Sequence, residues 1–128
     1  MSKDSIKQRR NLYNLTPRNL ARAVGKYALD KSGIDIRILD LRKSSDIADY
    51  FVICTGSVDV HVKAIADNIV DKLKERGVTV WHKEGVQALQ WVLLDYVSVV
   101  VHVFQPSTRE KYALEKLWGD APLVEVSR

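Results

Sequence analysis

Cysteine is nearly absent from this chain: Cys54 is the only one in 128 residues. A single thiol excludes an internal disulfide framework and any zinc or iron–sulfur centre built from several thiolates, and it suits a reducing compartment. Long apolar runs are missing as well. No stretch of 18 apolar residues occurs and no apolar segment follows the first basic residues, so neither a membrane-spanning helix nor a secretory signal is expected, and the protein is read as cytoplasmic. Paired carboxylates are also lacking, since no D-x-D occurs anywhere; an enzyme that holds two metal ions for nucleotidyl transfer needs such a pair. His61, His82 and His102 have no histidine partner two or four residues away, which leaves no metal site to build. His82 and Glu84 spell the opening H-x-E of a zinc deaminase, but its P-C-x-x-C partner cannot be made with one cysteine.

What is present is the composition of one globular domain, with 46% apolar and 28% charged side chains and no repeats or low-complexity segment. The net charge of +4 is uneven. Residues 1 to 32 hold eight Lys and Arg against Asp4 and Asp30, and the rest of the chain is slightly acidic. Residues 1–14 show no apolar period and read as a flexible basic tail, either a solvated segment or an arm attracted to RNA. Residues 15–121 read as a single domain and 122–128 as a C-terminal tail.

Within the domain, Thr16 before Pro17 is an N-cap signal, with Leu15 and Leu20 placed as a hydrophobic staple, and Gly33 is the expected stop of that first helix. Ile34, Ile36 and Ile38 alternate as in a strand with one buried face. YFVIC at 50–54 is apolar throughout and reads as a central strand covered on both sides. Val58, Val62, Ile65, Ile69 and Leu73 make one helical stripe, ended by Gly77. Strands are predicted at 78–82, 90–96 and 98–104, the last two as a hairpin. Ser107 and Glu110 then form a capping box opening a helix that runs to Trp118, with Gly119 as its stop. The order is α, β, β, α, β, β, β, α, which implies an α/β fold with a mixed five-stranded sheet and packed helices.

Cys54 ends an apolar run, where a buried thiol is the ordinary occupant, so catalysis through it is not expected. Thr55-Gly56-Ser57 lies between a strand and a helix; its amides suit either a bound anion or a capped turn. If Val92 and Leu94 face inward, then Trp91, Leu93 and Asp95 share the opposite face, and Trp91 reads equally as interface or core.

Several blocks together resemble one family. They are ADYFVICTGS at 48–57, HVKAIAD at 61–67, EG at 84–85, ALQWVLLDY at 88–96, VVVHVF at 99–104 and R-x-x-Y-x-L-E-x-L-W from Arg109 to Trp118. With the strand before them they cover about residues 18–118, and in that order they resemble the ribosomal silencing factor, or Iojap, family. The resemblance implies a non-enzymatic protein that binds the large ribosomal subunit through ribosomal protein L-fourteen and sterically prevents the small subunit from joining. Translation then falls when nutrients are short. It also implies a nucleotidyltransferase-like sheet without the catalytic carboxylates, no cofactor, a homodimer when free, and organelle relatives linked to large-subunit assembly. The matching partner-binding positions are Trp91, Asp95, His102, Arg109, Tyr112 and Glu115. Two departures stand out. Val60 occupies a position where the family commonly has arginine, and Val97-Ser98 replaces a usual Gly-Asp turn, so that turn must differ in type or carry strain. The competing readings are a nucleotide-binding or nucleotidyl-transferring enzyme on the same scaffold, and an RNA-binding module using the basic arm, which would place ribosomal RNA in contact with residues 1–14.

Overall fold

The computed structural model describes residues 15–126; the expected basic tail at 1–14 lies outside them. Helix α1 spans Pro17–Asp30, and it starts where the cap signal stands: Asn19 N–H donates to Thr16 Oγ1 at 3.2 Å, with Leu15 and Leu20 both buried. A cap of this kind is worth about 1 kcal/mol. The helix ends at Asp30, three residues before Gly33, and the left-handed stop falls one residue before that glycine. Ser32 takes the left-handed conformation (φ 59°), and Gly33 N–H reaches back to the Ala28 carbonyl at 2.8 Å. A Cβ on Gly33 would press on that same carbonyl, so this glycine serves close approach rather than positive φ.

Strand β1 (Ile34–Asp40) pairs antiparallel with β2 (Tyr50–Thr55). Its expected alternation holds only in the second half. A bulge between Ile34 and Arg37, with Asp35 at φ 48°, inserts an extra residue and breaks the period of two. Ile38 is therefore fully buried while Ile34 is left 46% exposed on the other face. Every residue of β2 is buried, as a strand covered on both sides requires. Helix α2 (Asp59–Glu75) buries Val62, Ile65, Ile69 and Leu73, and Gly77 at φ 83° ends it, with Val78 N–H returning to the Leu73 carbonyl at 2.8 Å.

The third strand differs from expectation. Only His82–Glu84 pair, as β3, and all three are exposed. Val78 is instead spent on closing the end of α2, and Trp81 stands 72% exposed. Strands β4 (Trp91–Asp95) and β5 (Val99–Phe104) form the expected hairpin. The last helix also differs. It is α3, Pro106–Tyr112, capped by Gln105 with no side-chain bond, so the Ser107–Glu110 capping box does not form. Ala113 turns left-handed (φ 47°) and a separate 3-10 helix runs Leu114–Trp118. A sixth strand, β6 (Leu123–Val124), pairs with β1. It arises within 122–128, read from sequence as a tail, and Val126 packs close to Gly25.

The sheet thus has six strands, not five, in the order β3-β4-β5-β2-β1-β6. Only β2 and β5 are parallel; every other neighbouring pair is antiparallel. Helices α1 and α2 cover one face, over Ile38, Val52, Cys54, Val101, Val103, Val92 and Leu94. The opposite face carries Leu39, Phe51, Ile53, Val100 and Phe104, and is roofed only by the 3-10 helix and the residues around it. Among the described residues, the only helical residue whose ring packs on the β3–β4 half of that face is Tyr112, at the end of α3.

Candidate partner-binding face

Strand β4 alternates strictly: Val92 and Leu94 are fully buried toward the helices, while Trp91, Leu93 and Asp95 are half-buried on the open face. This is the division the sequence predicts for a strand packed on one side. Register adds neighbours on that face. Trp91 stands opposite Phe104, Leu93 opposite His102 and Glu84, and Asp95 opposite Val100 and His82. Gly85 at φ 78° brings the β3–β4 connection down onto Trp91, since a Cβ there would land on the Trp91 carbonyl. His82 and Glu84 are members of this face that sequence alone did not single out for it. The H-x-E spacing held the signal, but only the register shows which face it joins.

An aromatic cluster forms around Trp91. Its ring centroid lies 4.8 Å from Phe104, 5.1 Å from Tyr112 and 5.9 Å from His102. Trp91 Nε1–H donates to His102 Nδ1 at 3.1 Å. His102 is 3% exposed and also touches the rings of Phe51 (4.6 Å) and Phe104 (6.1 Å). Burial pushes its pKa down to about 4, because desolvation disfavours the charged form. It is therefore neutral at pH 7, and with Nδ1 accepting, the proton sits on Nε2, which has no partner among the described residues. The histidine is a fixed acceptor that orients the indole. Trp91 is thus half core and half surface, with its nitrogen anchored inward.

The other matching positions divide. Tyr112 belongs to the cluster and is 55% exposed, with Lys111 Nζ 5.5 Å from its ring centroid. Asp95 lies four residues from Trp91 along the same face, but its Oδ1 accepts from Val97 N–H at 2.7 Å. Arg109 and Glu115 are elsewhere. Arg109 Nε donates to Glu115 Oε1 at 2.8 Å, and Nη1 donates to the Asp35 carbonyl (2.8 Å) and Thr55 Oγ1 (2.9 Å). Only a tenth of the Arg109 side chain is exposed. The pair is a clamp that ties α3 and the 3-10 helix to the ends of β1 and β2, beside an open cleft of about 560 Å³. A planar guanidinium suits this fork of acceptors in a way lysine does not.

The Thr55-Gly56-Ser57 turn is a capped turn. Ser57 N–H donates to His61 Nδ1 at 2.8 Å, and His61 Nε2–H donates to the Lys31 carbonyl, also at 2.8 Å. An amide that an anion would need is thereby occupied. Gly56 lets the chain pass Val62, where a Cβ would lie 2.7 Å from the Val62 nitrogen. Cys54 is fully buried, and burial pushes its thiol up to about 12, which leaves it unreactive.

Comparisons with known proteins show what the chain as a whole is similar to. The family model described as ribosomal silencing factor during starvation matches residues 14–128. The chain is 50% identical over 97 residues to the ribosomal silencing factor RsfS of Bacillus subtilis, covering 76% of this chain and 82% of that protein. It is 30% identical over 108 residues to the chloroplastic protein Iojap of Zea mays, covering 84% of this chain and 47% of that longer protein. A crystal structure of a protein from Chromobacterium violaceum superposes with a TM-score of 0.80 at 35% identity, covering 82% of this chain and 88% of that one. On the match over nearly the whole chain and the identity to its relatives, this protein belongs to the ribosomal silencing factor, or Iojap, family.

Proposed function

We propose that the protein binds the large ribosomal subunit through ribosomal protein L-fourteen, using the open β3–β4 face, and that its bulk there prevents the small subunit from joining. Translation is thereby repressed when nutrients are limiting. The family is one of ribosomal silencing factors, regulators and not enzymes, so the mechanism asks for a shape held in place, not for chemistry.

The observation that carries this reading is Trp91: a large ring, half-exposed on the open face, locked by its bond to His102 and flanked by Leu93 and by Tyr112 at the end of α3. Rigid aromatic anchors of this kind dominate protein interfaces. The charge on the strands of this half supports a protein partner over RNA. Its face residues on β3, β4 and β5 are His82, Glu84, Trp91, Leu93, Asp95, Val100, His102 and Phe104, with two carboxylates and no Lys or Arg. Phosphate is repelled by such a face, whereas a basic ribosomal protein complements it. His102 acts from beneath as the positioning residue, and Arg109 with Glu115 fixes the roof that carries Tyr112. The site of action is the cytoplasm, and the free protein is a homodimer; no helix of the described residues is long and apolar enough to cross a membrane.

Co-sedimentation with isolated large and small subunits tests the proposal. Binding to the large subunit alone is expected, with Trp91→Ala weakening it by at least about 2 kcal/mol in a protein that remains folded. A folded Trp91→Ala protein that binds as tightly as the parent refutes the anchor.

A further inference from the structure

Five non-glycine residues among those described have positive φ: Ser32, Asp35, Leu89, Val97 and Ala113. Four of them serve the fold. Ser32 closes α1, Asp35 sits at the β1 bulge with its carbonyl on Arg109, Leu89 packs against the main core, and Ala113 separates α3 from the 3-10 helix. Val97 is different. It is the one β-branched residue of the five, held at φ 73°, where branching at Cβ makes the left-handed region most costly. Its side chain nevertheless stays 64% exposed, so the strain wins little burial within the chain.

The turn is firmly held. Val97 N–H donates to Asp95 Oδ1 at 2.7 Å, Ser98 N–H to the Tyr96 carbonyl at 3.0 Å, and Tyr96 N–H to the Val99 carbonyl at 2.9 Å. Glycine would adopt the same backbone without strain. The turn serves the hairpin, but a valine rather than a glycine there adds strain that gives the fold nothing in return, and this points to a use outside the chain.

The neighbours of Val97 say what that use is. Asp95, whose carboxylate holds the turn, also accepts Trp81 N–H on its carbonyl at 2.9 Å. Trp81 is 72% exposed, and on the other flank the Ser98 carbonyl accepts from Asp49 and Tyr50 N–H, two and three residues after Ile47, itself 70% exposed. Large apolar side chains therefore line the end of the sheet where β3 begins, the β4–β5 hairpin turns and β2 begins. That end is continuous with the Trp91 face through Asp95.

We propose that Val97 and Trp81 are specificity-determining contacts that extend the open face over the hairpin end and grip an apolar spot on the same large-subunit protein. The inference rests on the reading given under Proposed function. The occupant is a protein with an apolar patch rimmed by basic groups: the patch meets Val97 and Trp81, and the rim meets Asp95 and Glu84. Asp95 is then a positioning residue for Val97 as well as a charge on the face.

The test uses the full chain, isolated large subunits and two variants, Val97→Asn and Trp81→Ala. Asparagine tolerates positive φ and keeps the turn while removing the apolar contact. Val97→Asn is expected to raise the urea midpoint and to weaken large-subunit binding by at least about fivefold, the usual scale of a real interface contact. Trp81→Ala is expected to leave the midpoint unchanged and to weaken binding similarly. If the parent binds and depends on Trp91, yet both variants bind like the parent, this inference is overturned and the docking face stands. If the parent does not bind large subunits at all, the docking reading falls and takes this inference with it.

Discussion

Acidification should unlock the indole of Trp91 through His102. The ring is 3% exposed, its pKa is pushed down from 6.5 to about 4 by burial, and its register neighbours Leu93 and Ile53 bring no charge to offset that. In the unfolded chain the same imidazole titrates near its ordinary value. Between about pH 6.5 and 4 the unfolded state therefore takes up a proton that the folded state refuses, and folding stability falls as pH falls through that window. It is fully present above pH 6.5 and levels off near pH 4, where the folded histidine also protonates. At about 1.4 kcal/mol per pH unit, the gap corresponds to a loss of roughly 3.5 kcal/mol at most. Once the folded histidine itself protonates, near pH 4, Nδ1 no longer accepts from Trp91 Nε1–H, so the docking face loosens only at the acid end of this range. Asp40, whose carboxyl is held below its usual value chiefly by its hydrogen bond to Arg42, titrates below this window and does not obscure it. Urea unfolding at pH steps from 7.5 to 4 measures the effect, with His102→Gln as the control that keeps an acceptor but does not titrate. The parent should lose stability more steeply than the variant. Parallel curves would refute the buried neutral acceptor.

Arg109→Ala should cost about 2 to 4 kcal/mol of stability by urea unfolding, because it leaves Glu115, Thr55 and the Asp35 carbonyl without their shared donor; Arg109→Lys should recover little of it, and full recovery would show that charge alone matters. Cys54, buried with its thiol pushed up to about 12, should resist thiol reagents in the native protein and react on unfolding, and light scattering should give the same mass with and without reductant; a dimer lost on reduction would contradict this. Deleting residues 1–14, which hold Lys3, Lys7, Arg9 and Arg10 against Asp4, should weaken large-subunit binding about tenfold and flatten its salt dependence. Salt-dependence lines of equal slope for the full-length and shortened proteins would show that the arm meets no phosphate.

Local chemistry settled a large part of this molecule. Thr16-Pro17 starts α1, the stripe from Val62 to Leu73 makes α2, Gly77 ends it, and the alternation of β4 separates Val92 and Leu94 from Trp91, Leu93 and Asp95. Such features depend on residues within a turn or two of one another, so sequence carries them. The family blocks were legible for the same reason, and so was the strain that Val97 brings to its turn.

Tertiary contacts decided the rest. The β1 bulge that turns Ile34 away depends on pairing with β2, and the short β3 depends on Val78 being drawn back to Leu73. The left-handed break at Ala113 splits a continuous helical pattern, and β6 exists only because β1 offers it an edge. The candidate site divides along the same line. Sequence put Trp91 and Asp95 on one face, but only the fold shows His102 beneath the indole, Tyr112 beside it, and Arg109 with Glu115 withdrawn into a clamp some distance from the face. Two-residue periods are local and survive in sequence, whereas strand register and the partner of a buried polar group are set by residues far apart in the chain.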